Sequence, residues 1–211
     1  MTDVGPADDG AYHDPGQPFE DRFEALMLAK RFAEVAEALR SEIAAIRDPM
    51  ARLGPMDDLA MVLELNGQPA DALQVMIERV ELAPDEPIGW CALANRHFCD
   101  GICRTGDEAA METALETIDR AVVVAERTGG AWLRHCLNDR ARIASAAGRR
   151  DVLEDTIRRI LTTPDGRGVP DTGIEIDFLR DLPPGAVDPE LSERLQERHA
   201  AASQRRRARE D

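Results

Sequence analysis

Two stretches of the chain carry the same kinds of side chain in the same order, thirty-four residues apart. Met56 and Trp90 open them as the bulky members, followed by Leu59-Ala60 and Leu93-Ala94, then Leu63 and His97, then Gly67 and Gly101. A period of that length marks a supersecondary unit that can bury its apolar face only by stacking on a neighbour. Within the first unit the apolar residues fall at helical spacing, with Met56, Leu59, Ala60 and Leu63 before Asn66-Gly67, then Ala72, Leu73, Met76, Val80 and Leu82 before Pro84. The unit therefore reads as two helices, turned at the glycine and broken by Pro84 and Pro87.

The same pattern extends in both directions. Phe19, Phe23, Leu26 and Met27 mark one helix, and Phe32, Val35, Ala36, Leu39, Ile43 and Ile46 a second, ended by Pro49. Helices are predicted from about Ala131 to Ala147 and, after Gly148, from Asp151 to Leu161. Thr105 and Glu108 have the spacing of a capping box, which predicts that the helix after Gly101 starts near Gly106. Aromatic residues are only 4% of the chain while alanine, leucine and arginine recur, a balance that favours helices packed through small and aliphatic side chains. The fold class expected is all-α. The chain divides into an acidic, disordered leader over 1–18, a helical repeat domain over 19–163, a linker and capping strip over 164–187, and a C-terminal helix with a basic tail over 188–211.

The bulky slot at Trp90, the pair Leu93-Ala94 and Gly101, together with Leu59-Ala60, Gly67, Ala72 and Pro84, resemble the tetratricopeptide repeat (TPR), a helix-turn-helix unit of this length. The resemblance is best over Leu53 to Ala125 and extends through Gly148 to the pair ending near Thr163. It implies a TPR-like α-solenoid of about four helix pairs with a C-terminal capping helix. It also implies that Trp90 is buried between neighbouring pairs. Two departures stand out: Arg79 replaces the usual alanine of the second helix, and about eight residues are inserted between Gly101 and Ala114 relative to the preceding unit.

The stretch from Trp90 to Arg104 holds three of the four cysteines, Cys91, Cys99 and Cys103. At about 100° per residue, Cys91, Asn95 and Cys99 share one side of a helix and His97 falls on the other. His97 is therefore assigned to the core, in the slot Leu63 fills one unit earlier. In the resembling family the side bearing Cys91, Asn95, Phe98 and Cys99 lines the concave groove, and His135, Asn138 and Arg142 join it when Gly148 is aligned with Gly67 and Gly101. An asparagine can clamp peptide backbone, and an arginine can take a carboxylate bidentately. As a metal site, Cys91, Cys99 and Cys103 with His135 or Cys136 would supply the needed ligands. No Cys-x-x-Cys knuckle supports that set, and free cysteine commonly packs as a small hydrophobe. No metal or other cofactor is therefore assigned.

Catalysis has no visible carrier: Gly-x-Ser-x-Gly, Walker and His-Glu-x-x-His motifs and the dinucleotide fingerprint are all missing from the sequence. The formal charge of −15 opposes nucleic-acid binding and favours basic partners. No apolar run reaches the roughly 20 residues of a membrane span. Lys30 is the single lysine against many arginines, a usage typical of bacterial genomes of high GC content. The expectation is a bacterial, cytoplasmic, non-catalytic adaptor that holds a protein or peptide in its concave groove. The alternatives are a cysteine-based metal or redox sensor on the same scaffold, or an accessory subunit of an enzyme encoded elsewhere. The acidic run Asp171, Glu175, Asp177 and Asp181 and the arginine-rich tail are read as solvated charge.

Overall fold

The computed structural model describes residues 19–100, 107–130, 132–163 and 182–210. Those residues form nine α-helices and no strand: α1 (Phe19–Leu28), α2 (Phe32–Ala45), α3 (Leu53–Leu65), α4 (Pro69–Leu82), α5 (Pro87–Cys99), α6 (Glu108–Arg127), α7 (Leu133–Ala146), α8 (Arg150–Thr162) and α9 (Pro189–Glu210). The expected leader over 1–18, Cys103, Thr105 and the acidic run from Asp171 to Asp181 lie outside the described residues. The helices form two compact units, one ending at Leu82 and one starting at Ala83.

The first unit packs α1 on α2, α2 on α3 and α3 on α4. Phe23, Val35, Leu39, Val62, Leu63 and Met76 are almost fully buried, and Ala36, Ala60 and Ala72 let the helices approach closely. Arg79, the departure from the repeat pattern, is 4% exposed and pairs with Asp57 of α3. The guanidinium thus fills the space left beside α3 while its charge is balanced. Breaking such a buried pair by removing one partner is typically costly.

Helix ends repeat one device. At Gly67 (φ +73°) the following amide, Gln68 N, donates to Leu63 O at 2.8 Å; at Gly148 (φ +66°) Arg149 N donates to Ala144 O at 2.9 Å. Both are six-to-one Schellman closures that need a left-handed residue, which glycine supplies without a Cβ penalty. The α1–α2 turn makes the same closure, Arg31 N to Leu26 O at 2.9 Å, but its left-handed residue is Lys30 (φ +56°).

The second unit packs α5 on α6, α6 on α7, α7 on α8 and α9 on α8, with α5 also touching α7. Its core runs from Cys91 and Ala94 through Ile118, Val122, Leu137 and Ile143 to Ile157 and Ile160, and Val187, Leu191 and Leu195 close its end. The last three bring α9 onto α8 as a cap. Glu86 caps α5, its carboxylate accepting from Gly89 N at 2.7 Å, with Pro87 in the first helical position. The start of α6 differs from expectation: Asp107 caps it, accepting from Ala109 N at 2.9 Å, and the helix begins at Glu108. An aspartate reaching its own first turn fixes the start later than the Thr105–Glu108 box predicts.

Trp90 also departs from expectation. It is half-buried rather than enclosed: its indole N–H donates to Pro84 O at 2.9 Å, and the Arg120 guanidinium lies 4.4 Å from the ring centroid. An indole must keep a partner for its N–H, and the carbonyl that serves it is on the exposed loop before α5. Arg140 ties three helices of this unit. It reaches Asp119 of α6 at 2.6 Å and Asp155 of α8 at 3.0 Å, and also meets the buried hydroxyl of Thr156.

Candidate functional site

The face of the second unit formed by α5 and α7 gathers most of the residues singled out from the sequence. Asn95 Nδ2 donates to Asp139 Oδ2 at 3.0 Å, and Asn95 Oδ1 accepts from Arg142. Arg142 also meets Asp139 Oδ1 at 3.3 Å and stacks over Phe98, 5.0 Å from the ring centroid. His135 Nε2 stands 3.6 Å from Asp139 Oδ2, and its ring meets the edge of Trp132 at 6.1 Å between centroids. Positions 135, 139 and 142 lie one helical turn apart on α7, so they form a stripe, and Asn95 and Phe98 reach it from α5.

Asp139 is the member that sequence reasoning missed, although it holds the network together. Its side chain is 15% exposed, against 39% for His135 and 38% for Arg142, so the carboxylate sits below two more accessible side chains. Its signal was present in the spacing, four residues after His135 and three before Arg142. Trp132, just before α7 and 42% exposed, adds an accessible aromatic beside His135.

The remaining candidates separate. Cys91 does not line a groove: it is 1% exposed, beneath the network, with its Sγ 3.1 Å from Cys136 Sγ. Both are free thiols. The hydrogen bond with Cys136, then burial, then the nearby negative groups hold the Cys91 thiol protonated far above its ordinary range. The sequence placed Cys91 on the correct side of α5, but close approach of α5 and α7 turns that position into core. Cys99 is exposed and outside the cluster. Asn138 is half-buried, and its Nδ2 has no acceptor among the described residues. His97 is half-buried, not enclosed like Leu63, and burial lowers its pKa.

For metal chemistry, the ligand atoms of Cys91, His135 and Asp139 all lie within 4.8 Å of one another. That set differs from the one weighed and set aside from the sequence: it has a single cysteine of the Trp90 to Arg104 stretch and a carboxylate that was not considered.

No protein-family model matches the chain, and no curated protein does. Among solved structures, the fold is similar to a crystal structure of the nearly identical TPR-like repeats of a putative kinesin light chain from Podosopora anserina. In that comparison the TM-score is 0.54 and the identity 17%, over 90% of this chain and 100% of the other. A variant of the same protein matches with a TM-score of 0.55 and 16% identity, over 90% of this chain and 99% of the other. No helix among the described residues is long and apolar enough to cross a membrane. The helix pairs, their Schellman turns and these likenesses together give the chain an all-α, TPR-like helical-repeat fold of the α-solenoid class.

Proposed function

We propose that the chain is a non-catalytic interaction scaffold that holds an extended segment of a partner protein on the α5–α7 face of its second unit. The observation that carries this reading is the half-exposed cluster of Trp132, His135, Arg142, Asn95 and Phe98, organised from below by Asp139. Trp132 offers a rigid amphipathic surface, and Asn95 and Arg142 offer amide and guanidinium donors pre-positioned by their own network. Such groups suit peptide backbone and side chains better than they suit bond-breaking, since the thiol near His135, Cys91, is buried and held protonated. Arg142 is already engaged by Asp139 and Asn95, so its role is an oriented hydrogen-bond donor more than a free charge.

The test is co-purification from the native host, followed by affinity measurement on wild type, Trp132→Ala and Arg142→Ala. Each substitution is expected to weaken binding by one to two decades, about 1.5–3 kcal/mol. The melting temperature should hardly move, because both side chains are substantially exposed. Unchanged affinity in both variants, with the fold intact, moves the partner surface elsewhere.

A further inference from the structure

We propose that Cys91, His135 and Asp139, with a water as fourth ligand, form a binding site for one Zn²⁺ ion beneath the α5–α7 face. Two observations carry this. The ligand atoms of the three residues lie within 4.8 Å of one another. His135 Nε2 and Asp139 Oδ2, at 3.6 Å, are too far apart for a good hydrogen bond. Zinc bonds of about 2.0–2.2 Å in tetrahedral array would put a nitrogen and an oxygen about 3.4 Å apart, close to what is found. Cys136 Sγ stands 3.1 Å from Cys91 Sγ but outside that set, so it supports the Cys91 sulfur from behind without joining the ion.

The surroundings suit a resident cation. Asp139 divides its oxygens: Oδ2 faces His135, while Oδ1 is held by Arg142 at 3.3 Å. Asn95 donates to Oδ2 at 3.0 Å and accepts from Arg142, a ring of contacts that orients the carboxylate from outside a coordination sphere. One thiolate and one carboxylate neutralise a divalent ion, and Arg142 holds the carboxylate's second oxygen. The mixed sulfur, nitrogen and oxygen set favours Zn²⁺ over the oxygen-seeking Mg²⁺ and Ca²⁺. Binding exchanges the Cys91 S–H bond for a Zn–S bond, and the thiol proton passes to solvent.

The experiment uses the full chain, purified without a metal-chelating tag under reducing conditions, stripped with chelator, and titrated with Co²⁺ as spectroscopic probe and then with Zn²⁺. Saturation at one equivalent is expected, with a thiolate-to-cobalt charge-transfer band and the intense visible bands of tetrahedral cobalt, both removed by Zn²⁺. His135→Ala and Asp139→Asn should each weaken binding at least roughly tenfold, since ligand losses should exceed the 10–100-fold range's lower end seen for outer-shell changes. Both alter partly exposed or isosteric groups, so folding, followed by circular dichroism, is expected to survive them where Cys91→Ser in the core risks it. Cys99→Ser should leave the titration unchanged. Absence of a one-equivalent tetrahedral spectrum in wild type overturns the site. So does a spectrum that survives both His135→Ala and Asp139→Asn, or one that vanishes with Cys99→Ser. None of these readouts involves a partner peptide, so they stand or fall apart from the proposed scaffold role.

Discussion

Lys30 performs a task that glycine performs elsewhere in this chain. It sits at φ +56° in a Schellman closure of the kind made at Gly67 and Gly148. A left-handed conformation costs a residue with a Cβ about 1–2 kcal/mol, part of which glycine's larger unfolded-state entropy gives back. Lys30→Gly is therefore expected to stabilise the first unit by about 0.5–1 kcal/mol, visible as a higher melting temperature or denaturant midpoint. A variant that melts lower would mean the lysine side chain makes a compensating contact. The same scale shows what a sequence can disclose. Gly67 and Gly148 were legible as turns because no other residue type is as much at ease there. Lys30 was not, since nothing in a lysine announces positive φ. Asp139 was overlooked for a different reason: its neighbours His135, Asn138 and Arg142 drew attention as accessible groups, while its own role is to sit lower and accept from Asn95 and Arg142.

Helices were legible from period and punctuation, because amphipathic spacing, proline and glycine act locally. Their depth was harder to read. Trp90 aligns with Met56, yet Met56 is 6% exposed and Trp90 half-buried, because an indole N–H must find an acceptor and a thioether need not. The docking of α9 on α8 had no local signature beyond an apolar strip; it depends on Val187, Leu191 and Leu195 meeting the end of the core. Glu154 fastens the entry to α9: it accepts from Arg150 at 2.8 Å, from Arg158 at 3.2 Å and from Asp188 N at 3.0 Å. The hydrogen bond from Arg150, with those from Asp188 N and Arg158, lowers its pKa against the opposing effect of burial. A depressed carboxyl stabilises the folded state above its unfolded pKa of about 4.3, and the contribution is lost as pH falls through the lower folded value. Acidification across that window should raise hydrogen exchange in α9 before the rest of the second unit. In Glu154→Gln the α9 amides should already exchange faster at neutral pH and change less on acidification. Equal acid sensitivity in that variant would place the pH-dependent contact elsewhere.

On the scale of the whole molecule, the arginines are largely spoken for. Arg127, Arg149, Arg150, Arg158 and Arg159 pair with surface carboxylates, and Arg79 and Arg140 hold helices together. With 41 acidic residues against 26 basic ones, what remains unbalanced is negative, and the formal charge is −15. Isolated surface pairs of this kind add little to stability, at most about 1 kcal/mol each, but the surplus acts at a distance. For the proposed scaffold the two effects divide between rate constants. A basic partner is drawn in by the overall field, so its association rate should fall by about tenfold or more between low and physiological salt, as the Debye length shrinks from about 30 Å at 0.01 M to about 8 Å at 0.15 M. Dissociation, governed by the close contacts at Trp132, Asn95 and Arg142, should scarcely respond to salt and should accelerate in Trp132→Ala. Stopped-flow association and dissociation at the two ionic strengths measure both quantities. An association rate indifferent to salt would mean that the captured segment is not basic, and that the acidic surplus serves solubility alone.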